Sequence, residues 1–206
     1  MTVARAAPAM PISGKGPTPK MRQRNDFCDG FFKTVTHLGD AGIFWILLTI
    51  ALLIFPKTRK LGFCSAIALV LDLLMVNCCI KPIVNRTRPY LLDEYTSRGI
   101  TLLIKEAHDA SFPSGHTAAS FASAVAILFY NRKIGIPAII LAAIIGFSRL
   151  YVAIHFPSDV FVGAIVGILC AIIAYFICQK TYPMLENKFG KKTGNETPEP
   201  GEHANK

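Results

Sequence analysis

Three stretches of this chain are apolar for long enough to cross a lipid bilayer, and that restricts the fold more than any other feature. The runs at 61–80, 135–154 and 158–179 each approach the roughly 20 residues at which an α-helix matches the hydrocarbon core. Two shorter runs, at 42–55 and 116–131, reach that length only by borrowing flanking residues. Composition agrees: the chain is 52% hydrophobic with a mean hydropathy of +0.42, more apolar than a soluble domain of this size needs to fill one core. The expected fold is all-α, a polytopic transmembrane bundle of about five spans, with short loops that use nearly the whole chain and leave no second domain.

The ends differ from the middle. Residues 1–26 are polar or rich in Pro and Gly and lack an apolar core of their own, so they read as a basic flexible tail, and a later span is expected to act as the insertion signal. Phe27, Phe31, Phe32, Val35 and Leu38 fall near helical spacing, which points to an N-terminal amphipathic helix lying in the interface, too polar to span. A membrane domain is expected over 27–182 and a polar disordered tail over 183–206. The six cysteines lack zinc-ligand or redox spacing and read as small buried hydrophobes.

A formal net charge of +9 raises the question of nucleic acid, but the bases sit between apolar runs rather than on one aromatic-interleaved surface, so no nucleic-acid partner is expected. Lys57, Arg59, Lys60, Arg132, Lys133 and the Lys180–Lys192 region fall on one side of a five-span count. The positive-inside rule assigns that side to the cytoplasm. The loop 81–115 and the turn at His155 then face outward. The basic N-terminal tail would lie outside as well, against the same rule.

Three polar clusters sit at span ends on that outward side. In the first, Lys81 and Arg88-Pro89 are seven residues apart, nearly two helical turns, which would put both cations on one helix face about 10 Å apart. Pro82 would suit the first position of a helix after a break at Lys81. Alone, the cluster reads equally as a basic membrane edge with snorkelling side chains. The second, Phe112-Pro113-Ser114-Gly115-His116-Thr117, stands ahead of an apolar helix. It offers a hydroxyl, a glycine N–H open to close approach and a helix N-terminus, all suited to a phosphate oxygen, or simply an N-cap. The third is Ser148-Arg149, His155 and Asp159. An arginine at the membrane end of a span calls for an anion. Pro157 is expected to start the last span and put Asp159 in its first turn, from where a carboxylate can fix the tautomer of His155 or form a plain polar pair with it.

In this order, K-x6-R-P, P-S-G-H and S-R-x5-H-x3-D make the chain resemble the type 2 phosphatidic acid phosphatase superfamily over about residues 27–180, with every motif position filled. That superfamily also includes vanadium-dependent haloperoxidases and bacterial acid phosphatases. The resemblance implies a membrane-bound lipid phosphatase in which His155 attacks phosphorus, Asp159 orients it and His116 protonates the leaving oxygen. It further implies that Lys81, Arg88, Ser114, Gly115 and Arg149 hold the phosphoryl oxygens, and that no metal or other cofactor takes part. At headgroup depth the substrate would be a lipid phosphate or diphosphate, such as undecaprenyl diphosphate, phosphatidylglycerol phosphate or phosphatidate. An outward site favours the first. A vanadate-dependent oxidase is disfavoured by the apolar spans, and a silent lipid-binding scaffold or transporter by the intact His116, His155 and Asp159.

Three further features have plainer readings. Asp72, inside an apolar run, is expected to be a hydrogen-bonded structural group. Gly163 and Gly167 form a small-xxx-small pair, read as close packing within one chain. Asp93, Glu94, His108 and Asp109 lack the spacing of known metal-ligand sets and are expected to form a loop at the site entrance.

Overall fold

The computed structural model describes residues 25–93, 97 and 102–190, without the side chains of 41 and 186–190. Among these residues all regular structure is helical. Helix α1 (Asp26–Leu38) is capped by Asn25, whose side chain accepts from the Phe27 N–H. A 3₁₀ turn (Asp40–Gly42) leads into α2 (Ile43–Ile54). Helix α3 (Arg59–Leu73) continues as a π-helix over Leu74–Ile80 and one last α-turn, Lys81–Val84. A loop with a short 3₁₀ turn at Pro89–Leu91 follows, then α4 (Gly115–Leu128), α5 (Arg132–Tyr151) and α6 (Pro157–Gly190).

Three helices, Arg59–Leu91, Arg132–Tyr151 and Pro157–Leu185, are long and apolar enough to cross a membrane, matching the three long runs. Helix α2 is short, and it is bent by 53° from α1. Helix α4 is short because it lies inside the bundle. It packs against α3, α5 and α6, and Thr117, Ala118, Ser120 and every residue from Ala122 to Ile127 are buried. Its small residues let neighbouring backbones close in. The glycine pair on α6 sits in that contact: a Cβ on Gly167 would lie 2.2 Å from the Ala118 carbonyl oxygen, and one on Gly163 2.7 Å from that of Ser114. The α6 pair therefore serves packing inside one chain.

Hydroxyl groups tie the interior together, as they must where no water is at hand. Thr49, Ser65 and Ser123 form a chain with contacts of 2.7 and 2.8 Å, and the Trp45 indole N–H donates to Ser120 at 2.8 Å. Asp72 is different. It is buried, and its Oδ1 has no hydrogen-bond partner among the described residues, so the expected hydrogen-bonded role is not what the structure gives it.

The starts of α2, α4 and α6, the end of α5 and the end of the α3 extension all gather at one end of the bundle, while Lys57, Arg59, Lys60, Arg132 and Lys133 lie at the connections of the other end. Helix α6 runs on to Gly190, past the boundary expected at 182. The N-terminal tail up to residue 24 and the C-terminal tail from 191 lie outside the described residues. Cys64, Cys170 and Cys178 are buried as expected, but Cys78 and Cys79 are exposed on the π-helix.

Candidate active site

The π-helix ends at Lys81, and π-turns inside α-helices are frequent at functional sites because the extra residue re-aims the side chains that follow. No break occurs at Lys81: it and Ile80 are both in the right-handed helical region, and the helix stops instead at Asn85, whose φ of 40° is left-handed. Arg88 follows in extended backbone. The two cations therefore do not share a helix face, as their spacing predicts for a continuous helix. They meet through space on one carboxylate, that of Asp109. Lys81 Nζ binds Asp109 Oδ2, Arg88 Nη2 binds Oδ1 at 2.6 Å, and Arg88 Nε donates to the Asp109 carbonyl at 2.9 Å. Burial raises the Asp109 carboxyl pKa, yet Lys81 and Arg88 overcome it and hold it down at about 2. The loop that carries Asp109 is pinned at Tyr90, whose hydroxyl donates to the Ala107 carbonyl at 2.7 Å.

Pro157 opens α6 as expected, with Asp159 in the first turn. Asp159 is fully buried and His155 nearly so. His155 Nδ1 lies 3.5 Å from Asp159 Oδ2, and Nε2 lies 3.4 Å from Arg88 Nη1. Asp159 is itself held by more than the sequence motifs name. Oδ2 accepts from the Ser111 hydroxyl at 2.5 Å and from the Phe156 N–H at 2.9 Å, and Oδ1 accepts from Arg86 Nη1 at 2.8 Å. Arg86 also donates to Ser158 Oγ at 2.7 Å and stacks over the Phe156 ring at 3.9 Å. Burial pushes the His155 imidazole down to about 4: the Asp159 contact opposes that shift, and the cations Arg149 and Arg88 add to it. The ring is neutral at neutral pH.

Ser114 caps α4. It is fully buried, its Oγ takes the Thr117 hydroxyl at 2.9 Å, and its N–H donates to the Asp159 carbonyl at 3.0 Å. That last bond ties the second cluster to the third. Gly115 opens directly onto Lys81, since a Cβ there would stand 3.6 Å from Nζ. Arg149 is buried on α5, donates to Thr36 Oγ1 of α1 at 2.5 Å, and keeps a buried Nε without a partner among the described residues. His116 Nε2 lies 3.0 Å from Asp40 Oδ1.

Lys81, Arg88, Arg149, Gly115, His116 and His155 all line one cavity of about 670 Å³, whereas Ser114 does not. The cavity continues away from them between α2 and α3, past Ile46, Thr49, Leu69 and Val70 as far as Leu53. It thus joins a cationic end, rich in donors for an oxyanion, to a largely apolar trough between two helices. Asp72 lines it too. Arg86, Ser111 and Asp40 are absent from the sequence-level set. Arg86 stood in plain view between Lys81 and Arg88, but nothing in its spacing ties it to Asp159.

A cation-lined pocket with two histidines that opens into an apolar trough fits the class to which the comparisons with known proteins assign the chain, a phosphatase that works on membrane lipids, hydrolysing phosphate monoester or diphosphate bonds. A sequence profile of the PAP2 superfamily matches residues 59–183, and the chain belongs to that superfamily. It is 30% identical over 166 residues to the undecaprenyl-diphosphatase BcrC of Bacillus subtilis (strain 168), covering 81% of this chain and 83% of that protein. It is 35% identical over 124 residues to an undecaprenyl-diphosphatase of Sulfolobus acidocaldarius, covering 60% of this chain and 58% of the relative. The crystal structure of Aquifex aeolicus LpxE superposes with a TM-score of 0.65 at 35% identity, over 74% of this chain and 88% of that one.

Proposed function

We propose that the chain hydrolyses undecaprenyl diphosphate on the extracytoplasmic face of the cell membrane, through a phosphohistidine formed on His155. The observation that carries this reading is the placement of His155 Nε2 beside Arg88, at the cationic head of a cavity whose remainder is an apolar trough. The substrate class is supported by the two relatives named undecaprenyl-diphosphatase. The orientation is supported by the Lys and Arg residues at the opposite end of the bundle, which the positive-inside rule assigns to the cytoplasm.

In the first step the terminal phosphate enters against Lys81, Arg88, Arg149 and the Gly115 N–H, where the buried Nε of Arg149 gains a partner. Fixed donors of this kind stabilise the charge that builds on the phosphoryl oxygens in the transition state. Asp159 accepts from Nδ1–H of His155 and leaves Nε2 with a lone pair. Nε2 attacks phosphorus, the bond to the bridging oxygen breaks, and that oxygen takes its proton from His116. In the second step His116 takes a proton from water, the hydroxide attacks phosphorus, the N–P bond breaks and phosphate leaves. The prenyl chain stays in the trough and the bilayer throughout.

The test is phosphate release by the purified protein from a panel of undecaprenyl diphosphate, phosphatidylglycerol phosphate and phosphatidate, with chelator present and His155→Ala in parallel. Turnover that persists in chelator, is lost in His155→Ala and is fastest on undecaprenyl diphosphate is expected. A rate that survives His155→Ala removes the nucleophile from this scheme, and a preference for phosphatidate removes the substrate.

A further inference from the structure

The turn between α1 and α2 presses on His116 from outside the segment that the family profile matches, which begins at residue 59. Two independent features bring it there. Asp40 reaches His116 Nε2 with Oδ1 at 3.0 Å, and its other oxygen, Oδ2, is held by His37 Nδ1 at 2.7 Å. Gly39, one residue earlier, lies so close that a Cβ would stand 2.6 Å from His116 Cδ2 and 3.1 Å from Ile145 Cγ2. The hydrogen bond from His116, the largest influence, holds the Asp40 carboxyl down at about 2 against the effect of burial, with His37 adding to it. Asp40 is therefore an anion at working pH. His116 Nδ1 has no hydrogen-bond partner among the described residues.

We propose that Asp40 is a positioning residue for the general acid, holding His116 by Nε2 so that Nδ1–H is the proton offered to the leaving oxygen. The inference rests on the acid role of His116 in the scheme above. As the P–O bond breaks, its electron pair goes to the leaving oxygen, which takes the Nδ1 proton. His116 is left neutral with its Nε2–H still on Asp40, and water returns the proton to Nδ1 in the second step. Burial first, and the positive charge of Arg149 and Lys81 after it, disfavour the imidazolium form of this ring, and Asp40 supplies the negative charge that opposes them. An anchored carboxylate on the far nitrogen of a catalytic imidazole fixes its tautomer and orientation.

An acid that protonates a leaving group matters in proportion to how badly that group leaves, and a merely structural residue shows no such grading. The experiment measures kcat/KM, which reports the steps up to departure of the leaving group, for the full-length protein in detergent micelles on phosphatidate, undecaprenyl diphosphate and 4-nitrophenyl phosphate, whose leaving groups are an alkoxide, a phosphate oxygen and a stable phenolate. It compares wild type, His116→Ala, Asp40→Asn and Asp40→Glu. Among the substrates that wild type turns over, Asp40→Asn is expected to lose roughly 10- to 100-fold where the leaving group is poorest, at or below the low end of what acid catalysis itself supplies. It should lose no more than about threefold on the aryl phosphate, and Asp40→Glu should restore part of the loss. If His116→Ala grades in this way and Asp40→Asn lowers all substrates alike, or none, the role of Asp40 is overturned while that of His116 stands. If wild type is inactive on every lipid, or His116→Ala shows no grading, the underlying reading fails and this one with it.

Discussion

His155 and Asp159 face each other across the first turn of α6, with Nδ1 3.5 Å from Oδ2, and the carboxylate between them is more heavily anchored than the imidazole. Ser111, Phe156 and Arg86 all donate to Asp159, and Asp159 is fully buried. The orienting group is thus a fixed point to which the proposed nucleophile is referred.

Arg86→Ala should lower kcat by about 10- to 100-fold, because a hydrogen bond to a charged group is worth roughly 1.5–3 kcal/mol and each 1.4 kcal/mol is a factor of ten in rate. Arg86→Lys, which keeps the charge but not the fork, should recover part of it. Steady-state kinetics on one lipid substrate decide the matter, and an Arg86→Ala enzyme within twofold of wild type would show that Ser111 and Phe156 suffice.

Asp109 binds both Lys81 and Arg88, so an arriving phosphoryl group must compete with it. Its side chain is 53% exposed, and a contact so open to solvent is worth only about 0.2–1 kcal/mol. Asp109→Asn is accordingly expected to tighten inhibition by inorganic phosphate by no more than about fivefold. Weaker phosphate inhibition in this variant would mean that Asp109 aligns the two cations rather than competing for them.

The low pKa of His155 has a definite sign. Attack needs the neutral ring, and the folded pKa of about 4 lies below the ordinary 6.5, so protonation of His155 should not cut kcat/KM until the pH falls toward 4. Between pH 6.5 and 4 the unfolded chain binds a proton at this residue that the folded chain does not, so its contribution to stability falls as pH drops through that window. A pH–rate profile of kcat/KM compared with thermal unfolding over the same range separates the two effects. A loss of kcat/KM on the acid side centred near pH 6.5 would contradict the assignment.

Gly167→Ala places a methyl group 2.2 Å from the Ala118 carbonyl oxygen, and backbone cannot yield there without separating α6 from α4. Overpacking of this kind costs about 1–3 kcal/mol. A lower unfolding temperature in detergent is expected, together with reduced activity, because α4 carries Gly115 and His116 and α6 carries Asp159.

The bundle was legible in the sequence because hydrophobic length is a local property: the runs at 61–80, 135–154 and 158–179 each became one long helix. Helix α4 fitted poorly as a span because its residues answer to protein neighbours rather than to lipid, and Ala122, Ser123 and Ala124 say little about depth. Motif order placed His155, Asp159, His116 and the three cations at one end of the bundle. Spacing misled at Lys81 and Arg88, where the left-handed Asn85 and the extended backbone of Arg88 end the helical phase on which that estimate relied. Arg86, Ser111 and Asp40 were invisible for a different reason. Each binds a site residue 48 to 76 positions away, and no periodicity carries that information. The amphipathic stretch 27–38 did form a helix, but its Thr36 grips Arg149, a link that amphipathicity does not reveal.

A covalent phosphohistidine on His155 can be trapped by rapid acid-free quenching of the protein with undecaprenyl diphosphate labelled in its terminal phosphate, followed by peptide mapping. A base-stable, acid-labile label is expected on the peptide that contains His155, formed before phosphate is released and absent in His155→Ala. Label on any other residue, or phosphate released at full rate with no labelled protein at any time, would contradict it.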